Sequence, residues 1–218
     1  MNLNDYQHAF TAALRAGDEP AAQAVVEHAR AQGMDSYEIY YRIFAPAMVR
    51  IGELWERNEL SVAEEHLATA ITERLIGRLS SGFQRPSGAP PGLVVLGCVA
   101  GERHTLGLRM LSDLLRARGW RVLDLGADVP TADWVRLALR YNADAVALSV
   151  NADRRLGEAA ALIAELRAAL PDLLVLVGGA ALDRDPAAFE RIGASVYDPD
   201  PTTAVERLSA CAQRRVRG

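Results

Sequence analysis

The sequence predicts an all-α segment followed by an α/β domain with a doubly wound parallel sheet. Three observations indicate this. Residues before Gln84 place apolar side chains at helical spacing, residues after Gly92 alternate between apolar strands and helices, and a proline- and glycine-rich stretch separates the two parts. We therefore expect a helical domain at 1–83, a linker at 84–92 and an α/β domain at 93–218.

Four helices are predicted in the first part, and we expect them to pack as a four-helix bundle. Pro46 is expected to kink the third helix. Ser61-Val62-Ala63-Glu64 has the form of a capping box that begins the fourth. The break before it matters, because Trp55 and His66 would lie roughly 16 Å apart along one unbroken helix. The predicted ranges are Asp5–Ala16, Pro20–Gln32, Ser36–Glu56 and Ser61–Ser81.

Five strands alternate with helices in the second part, which predicts a five-stranded parallel sheet of the flavodoxin or Rossmann-like kind. Continuous apolar strands are expected where helices cover both faces of a sheet. Ligands of such folds bind outside the carboxyl ends of the strands. The predicted strands are Leu93–Val99, Arg121–Leu125, Ala145–Val150, Leu173–Val177 and Ser195–Tyr197, with helices near Thr105–Arg118, Thr131–Tyr141, Leu156–Leu170, Pro186–Ile192 and Thr202–Val216.

Composition excludes several classes of partner. The formal net charge of -4 gives no general attraction to nucleic acid or to an anionic membrane. No apolar run is long enough to span a bilayer, and the first residues lack the order of a signal peptide. Cys98 and Cys211 have neither metal-ligand nor disulfide-framework spacing. We therefore expect a cytoplasmic protein that contacts neither nucleic acid nor membranes directly.

Chemistry-bearing residues follow the first predicted strand in the motif Glu102-x-His104-x-x-Gly107. A histidine there is placed to ligate a metal at the carboxyl edge of the sheet. The carboxylate two residues earlier is close enough to orient its ring. Alone, such a motif is a weak signal.

The later strands also end in unusual residues. Ser149 ends the third strand, and the pair Gly178-Gly179 follows the fourth, where glycines let a ligand approach the backbone closely. No G-x-G-x-x-G motif or phosphate loop follows the first strand, so a nicotinamide site is not evident.

Together these motifs resemble the cobalamin-binding signature, which usually reads D-x-H-x-x-G, S-x-L and G-G. In that family the corrinoid binds with its own base swung away, and the histidine ligates cobalt from below. The resemblance implies that His104 is the lower cobalt ligand and Glu102, in place of the usual aspartate, its orienting partner. It also implies that Gly107 permits close approach of the corrin. Ser149 and Gly178-Gly179 would accommodate the nucleotide tail.

Trp55, followed after nine residues by Glu65-His66, resembles the upper-face motif of the light-sensing, adenosylcobalamin-dependent regulators of the CarH type. In those regulators the tryptophan packs against the adenosyl group, the glutamate hydrogen-bonds its ribose, and the histidine takes cobalt after photolysis. The resemblance implies these roles for Trp55, Glu65 and His66. The E-x-H-x-x-G form of the lower motif also occurs in that branch.

The resemblance implies an adenosylcobalamin-binding light sensor without catalytic residues. Photolysis of its cobalt–carbon bond would change its conformation or its assembly into homo-oligomers and so signal to a partner such as a transcription regulator. Such regulators normally begin with a helix-turn-helix DNA-binding domain, whereas the first helices here belong to the helical domain at 1–83, which resembles the cap domain that precedes the cobalamin-binding module. We therefore expect signalling through a protein partner.

Two alternatives stay open. A corrinoid methyl carrier, loaded with methylcobalamin and serving separate methyltransferases, is equally compatible with the length and layout. Its upper face must stay open to reacting partners, so the bulky Trp55 and a second histidine favour the sensor. A cobalamin store, or a sensor of cofactor level without photochemistry, differs only in whether light matters.

Overall fold

Each part of the chain folds as a unit of its own in the computed structural model, which describes residues 1–83 and 86–216. Contacts divide the chain into Met1–Gln84 and Arg85–Gly218. Two residues of the expected linker, Gln84 and Arg85, lie outside the described residues, and 86–92 contains neither helix nor strand. In the described ranges, no helix combines the length and apolarity needed to cross a membrane.

The helices of the first unit begin where side chains cap them. Asn2, Asp18, Asp35 and Ser61 each accept a backbone N–H of the first turn that has no partner within the helix. The predicted capping box at Ser61 is confirmed, because Glu64 also accepts the Ser61 N–H at 2.7 Å. The helices are α1 (Leu3–Arg15), α2 (Glu19–Ala31), α3 (Ser36–Ile39), α4 (Ala45–Glu56) and α5 (Val62–Leu79), with a 3-10 turn at Ser80–Gly82.

The third predicted helix contains a wider turn in place of a simple kink. A π-helical turn, Tyr40–Phe44, joins α3 to α4, and the N–H of Ala45 bonds the carbonyl of Tyr40. Pro46 has no N–H to donate to the carbonyl of Arg42 four residues earlier. The side chain of Gln7 donates to that carbonyl instead, at 2.7 Å. The helix therefore continues through the proline with one extra residue in the turn.

The core of the helical unit is built from aromatic and branched side chains. Phe10 of α1 stacks on Phe44 with ring centroids 4.7 Å apart, and both rings are fully buried. Tyr40 is also buried, and its hydroxyl donates to the carbonyl of Ile76 at 2.9 Å. Because α1 packs against α2, α4 and α5, the predicted helical bundle is confirmed.

The second unit is a parallel sheet in the order β2-β1-β3-β4, which confirms the flavodoxin-like arrangement. Helices cover both of its faces, which explains the continuous apolar strands. The strands are β1 (Leu93–Cys98), β2 (Arg121–Asp124), β3 (Ala145–Ser149) and β4 (Leu174–Gly178). The helices are α6 (Leu106–Ala117), α7 (Thr131–Tyr141), α8 (Leu156–Ala169), α9 (Ala180–Arg184), α10 (Ala188–Arg191) and α11 (Pro201–Val216), with a 3-10 turn at Asp153–Arg155.

The prediction of five strands is wrong, because the described sheet has four. The predicted strand Ser195–Tyr197 pairs with β4 only through a single bridge between Val196 and Leu176. The hydroxyl of Ser195 accepts the N–H of Val175 at 3.0 Å, where the backbone carbonyl of a longer strand would accept it. The segment lies beside β4 without continuing the ladder. The short helix α9 directly after Gly179 was also not predicted.

Alternate side chains of the strands point to opposite faces of the sheet. On one face, Val95, Leu148 and Val177 pack in a single core with Trp134 of α7 and Leu162 of α8. The other face is covered by α6, which packs on β1 and β2, and by α11, which packs on β4.

Candidate functional site

The loop after β1 carries a paired glutamate and histidine. The Nδ1 atom of His104 lies 2.5 Å from Oε1 of Glu102. An ionised carboxylate can only accept hydrogen bonds, so Nδ1 carries a hydrogen, and in the neutral imidazole Nε2 then keeps its lone pair for a ligand. The glutamate is 2% exposed, whereas the histidine side chain is 75% exposed. The carboxylate is thus a fixed anchor, and the ring projects from it.

Backbone N–H groups complete the binding of the Glu102 carboxylate. Oε1 accepts the N–H of Arg103 at 2.8 Å and of His104 at 3.2 Å, and Oε2 accepts those of Asn151 at 3.0 Å and Ala152 at 3.3 Å. Burial acts to raise the pKa of Glu102, but the hydrogen bonds from the His104 ring and from the backbone N–H groups of Asn151 and His104 lower it to about 2. The carboxylate therefore stays ionised although it is buried.

Turns from the neighbouring strands hold this loop on both sides. Asp128, in the turn after β2, accepts the N–H of Gly101 at 2.6 Å and donates its own N–H to the carbonyl of Glu102 at 2.9 Å. Asn151 holds Glu102 from the turn after β3, the strand next to β1 on the other side. The strand order reverses between β1 and β3, which is where doubly wound sheets bind ligands. His104 lies at this switch point.

Asn151 connects three parts of the candidate site. Its N–H binds Glu102, its Nδ2 donates to Oγ of Ser149 at 3.0 Å, and its Oδ1 accepts the N–H of Ala180 at 3.1 Å. It thereby joins the predicted residues Glu102 and Ser149 to the turn after β4. Sequence reasoning gave Asn151 and Asp128 no role. The sequence feature that could have identified them is their position after strands, in the turns that flank the loop carrying His104.

Small residues form a row across the carboxyl ends of three adjacent strands. Cys98, Ser149 and Gly178 are partners in the strand register, and their side-chain positions lie on the face covered by α6 and α11. A Cβ atom added to Gly178, or to Gly107 in α6, would meet no atom within 4 Å. This open space beside the histidine loop fits a ligand that approaches the backbone closely. The residues therefore fit the corrinoid that the motifs predict.

Gly179 has a structural role of its own. Its φ angle of +109° belongs to a region that other residues rarely adopt, and a Cβ atom there would lie 2.6 Å from the carbonyl oxygen of Val150. The close approach of two turns thus accounts for this glycine.

Cys98 is not available as a thiolate ligand. Burial, followed by the negative charges of Glu102 and Asp124, raises the pKa of its thiol to about 12. Among the described residues, no group of three or more histidine, cysteine, aspartate or glutamate side chains is arranged to hold a metal ion.

Trp55 stands in the last turn of α4 and is 45% exposed, so it is not a core aromatic. The helix ends directly after it. The N–H groups of Glu59 and Leu60 both bond the carbonyl of Leu54, and Asn58 adopts a left-handed φ of 58°. This turn separates α4 from α5, as the predicted break requires.

A second glutamate–histidine pair lies in the first turns of α5. The Nδ1 atom of His66 is 2.5 Å from Oε2 of Glu65, although adjacent residues leave a helix about 100° apart. The other oxygen, Oε1, accepts the hydroxyl of Thr69 at 2.9 Å. The His66 side chain is 73% exposed and that of Glu65 25%. Each pair thus leaves the Nε2 atom of its histidine free of the carboxylate.

Comparison with protein families identifies both units. A model described as the B12 binding domain matches residues 92–208, and a second B12 binding domain model matches residues 6–80. The chain belongs to the B12-binding family. Its cofactor class is therefore cobalamin.

Relatives of this B12-binding protein fall into two groups. It is 34% identical over 197 residues to the HTH-type transcriptional repressor CarH of Myxococcus xanthus, covering 88% of this chain and 63% of the repressor. It is 30% identical over 187 residues to the dimethylamine corrinoid protein of Methanosarcina barkeri, covering 84% and 86%. The structure of the Methanosarcina barkeri monomethylamine corrinoid protein shares the fold, with a TM-score of 0.80 at 18% identity over 96% of this chain and 99% of that one.

Proposed function

We propose that this B12-binding protein is an adenosylcobalamin-dependent light sensor that changes its conformation or assembly and signals to a partner regulator. The observation that carries the proposal is the exposed Trp55 together with the Glu65–His66 pair, whose histidine keeps Nε2 available. The identity to CarH over most of the chain supports it. A sensor of this kind needs no catalytic residue.

Residues of the sheet unit hold the cofactor from its lower side. His104 would hold the cobalt through Nε2, because Glu102 occupies its Nδ1 atom. The open positions at Gly107 and Gly178 leave room for the corrin and its nucleotide tail, and Ser149 borders the tail. When bound, adenosylcobalamin supplies a cobalt–carbon bond that visible light breaks.

Residues of the helical unit act on the upper ligand. Trp55 offers an exposed indole face that would cover the adenosyl group and exclude water. Glu65 accepts hydrogen bonds from its ribose hydroxyls. In the absence of the adenosyl group, His66 would be available to hold the cobalt through Nε2. This change of upper ligand would alter the contacts that the helical unit makes. A partner protein or a second copy of the chain would recognise the altered surface.

A second candidate function is a corrinoid methyl carrier that serves methyltransferases with methylcobalamin. Coverage favours it, because the chain spans 86% of the dimethylamine corrinoid protein but 63% of CarH. Against it, Trp55 and His66 would obstruct a partner enzyme that must reach the methyl group.

Illumination of loaded protein separates these functions. Protein filled with adenosylcobalamin in the dark should change under green light to a spectrum typical of two axial imidazoles. His66→Ala should lose that product, His104→Ala should lose retention of the cofactor, and His8→Ala, on the exposed side of α1, should behave as wild type. Identical photoproducts in wild type and His66→Ala would contradict the role of His66. Methyl transfer from bound methylcobalamin to a thiol, given a partner enzyme, would support the carrier.

A further inference from the structure

We propose that Asn151 is a positioning residue that fixes the hydroxyl of Ser149 as a hydrogen-bond donor and so selects corrinoids whose tail carries an unprotonated ring nitrogen. The inference rests on the part of the proposed function that places the nucleotide tail beside Ser149, and it does not depend on light. Asn151 stands where the cobalamin-binding signature S-x-L has leucine, so its amide is a feature of this chain.

The orientation of the Asn151 amide follows from its neighbours. A backbone N–H can only donate, so the atom that lies 3.1 Å from the nitrogen of Ala180 is the carbonyl oxygen Oδ1. The other atom, Nδ2, therefore faces Oγ of Ser149 at 3.0 Å and donates to it. Because an amide nitrogen carries no acceptor lone pair, this hydrogen bond can run in one direction only.

The hydroxyl of Ser149 consequently keeps its own hydrogen for another acceptor. Within 1–83 and 86–216, no group accepts that hydrogen. Ser149 is 7% exposed, so bulk water has little access to it. A buried donor without an acceptor is unfavourable, which indicates that a bound ligand supplies the acceptor.

The surroundings of Ser149 indicate what kind of acceptor fits. Gly178, its partner in the strand register, would meet no atom within 4 Å if it carried a Cβ atom, so a ligand can lie against the strands here. The hydrogen bond of Ser149 in the described ranges comes from an amide and not from a cation, which favours an uncharged acceptor. The base of a cobalamin tail that is swung away from cobalt has such an acceptor, because the ring nitrogen that can bind the metal regains its lone pair.

Two substitutions separate the direction of the hydrogen bond from its mere presence. In Asn151→Asp the carboxylate still accepts the N–H of Ala180, but its second oxygen can only accept, so it takes the hydrogen of Ser149 away from the ligand. Asn151→Leu removes the amide and leaves the hydroxyl free to rotate. The reversed hydrogen bond should therefore impair recognition of a ring nitrogen more than its removal does.

Binding titrations of the full chain in the dark, with two adenosyl cobamides, measure this effect. One is adenosylcobalamin, and the other has a tail that ends in a phenol ring without a nitrogen. Asn151→Asp should lower the affinity for adenosylcobalamin relative to the phenolic cobamide about ten-fold, because a donor is replaced by opposed lone pairs. Ser149→Ala should also lower this ratio, and adding Asn151→Asp to it should have no further effect.

Controls and opposite outcomes are distinct for each step. Asn142→Asp adds the same charge at the end of α7, ahead of β3, and should match wild type. An unchanged ratio in Ser149→Ala contradicts the placement of the tail, and with it that part of the proposed function. A lowered ratio in Ser149→Ala together with a wild-type ratio in Asn151→Asp overturns the role of Asn151 alone.

Urea unfolding of the cofactor-free protein shows whether the substitutions act on binding or on folding. Asn151→Asp should unfold near the wild-type midpoint, because Ala180 and Ser149 both keep a partner. If Asn151→Asp does not fold, Asn151→Leu decides the question. A ratio equal to that of wild type in Asn151→Leu then overturns the inference.

Discussion

Single residues around the loop after β1 divide into those that form hydrogen bonds and those that leave space. Glu102 binds through both oxygens and fixes one nitrogen of His104, so it determines the direction in which the ring points. Gly107 and Gly178 have unfilled space where a Cβ atom would be. Gly179, in contrast, is required by its backbone conformation.

This division predicts opposite outcomes for two glycine substitutions. Gly107→Leu should change the free energy of unfolding of cofactor-free protein by less than about 0.5 kcal/mol, because the position is open. It should weaken cobalamin binding roughly ten-fold or more, since overpacking costs about 1–3 kcal/mol. Gly179→Ala should cost about 1–3 kcal/mol of folding stability from backbone strain alone.

Urea unfolding and cofactor titration measure the two effects separately. Gly157→Ala, at an open position of α8, serves as the control. Unchanged cobalamin affinity in Gly107→Leu would argue against close approach of the corrin at that residue.

Helices and strands of this chain start and stop where local chemistry dictates. The break between α4 and α5 is an example, because Ser61 and Glu64 cap α5 reciprocally and Asn58 turns the chain just before. Trp55 and the Glu65–His66 pair lie on either side of this break. The element boundary therefore determines how the upper-face motif is presented.

Removal of the cap should destabilise the helical unit. Ser61→Ala leaves the first-turn N–H of Glu64 without its partner, and we expect a loss of about 0.5–2 kcal/mol in the free energy of unfolding. Thermal unfolding followed by circular dichroism measures it. Ser81→Ala is the matched control, because that exposed serine follows α5 and caps no helix start. Equal melting curves for the two variants would show that the cap contributes nothing.

Local signals predicted the elements well, and tertiary contacts account for the differences. The ends of α1, α2 and α7 and of β1 follow caps, prolines and apolar runs that are legible in sequence. The π-helical turn depends on a carbonyl satisfied by Gln7, 35 residues away in the chain. The prediction of a fifth strand failed because the hydroxyl of Ser195, in place of a backbone carbonyl, accepts the N–H of Val175.

The site was predictable to the same degree. Glu102 and His104 share a loop, so their spacing in the sequence was enough to predict that they form a pair. Asn151 reaches Glu102 across 49 positions, a relation that only the folded sheet reveals. Trp55 fits the apolar stripe of its helix, and its exposure became evident only in three dimensions.

The whole molecule should lose stability at alkaline pH through a buried tyrosine. Burial, followed by the hydrogen bond to Asp183 at 3.0 Å, raises the pKa of Tyr197 to about 12 from its ordinary value of about 10. Folding therefore favours the neutral phenol. Its contribution is complete below about pH 10 and disappears as the pH rises towards 12.

Chemical unfolding at several pH values checks this sign. Between pH 10 and 12, wild type should lose more free energy of unfolding than Tyr197→Phe, whose side chain has no proton to lose. Tyr141→Phe, at an exposed tyrosine, should keep the wild-type slope. Parallel curves for wild type and Tyr197→Phe would remove Tyr197 as a source of alkaline instability.

The four N–H donors around the Glu102 carboxylate belong to the main chain, and every amino acid except proline can provide them. The side chains of Arg103 and Ala152 can consequently vary during evolution without weakening the hydrogen bonds to the Glu102 carboxylate. A proline at either position would delete one donor outright. Divergent descendants of this chain should accordingly tolerate wide variation at both positions, with proline as the forbidden choice.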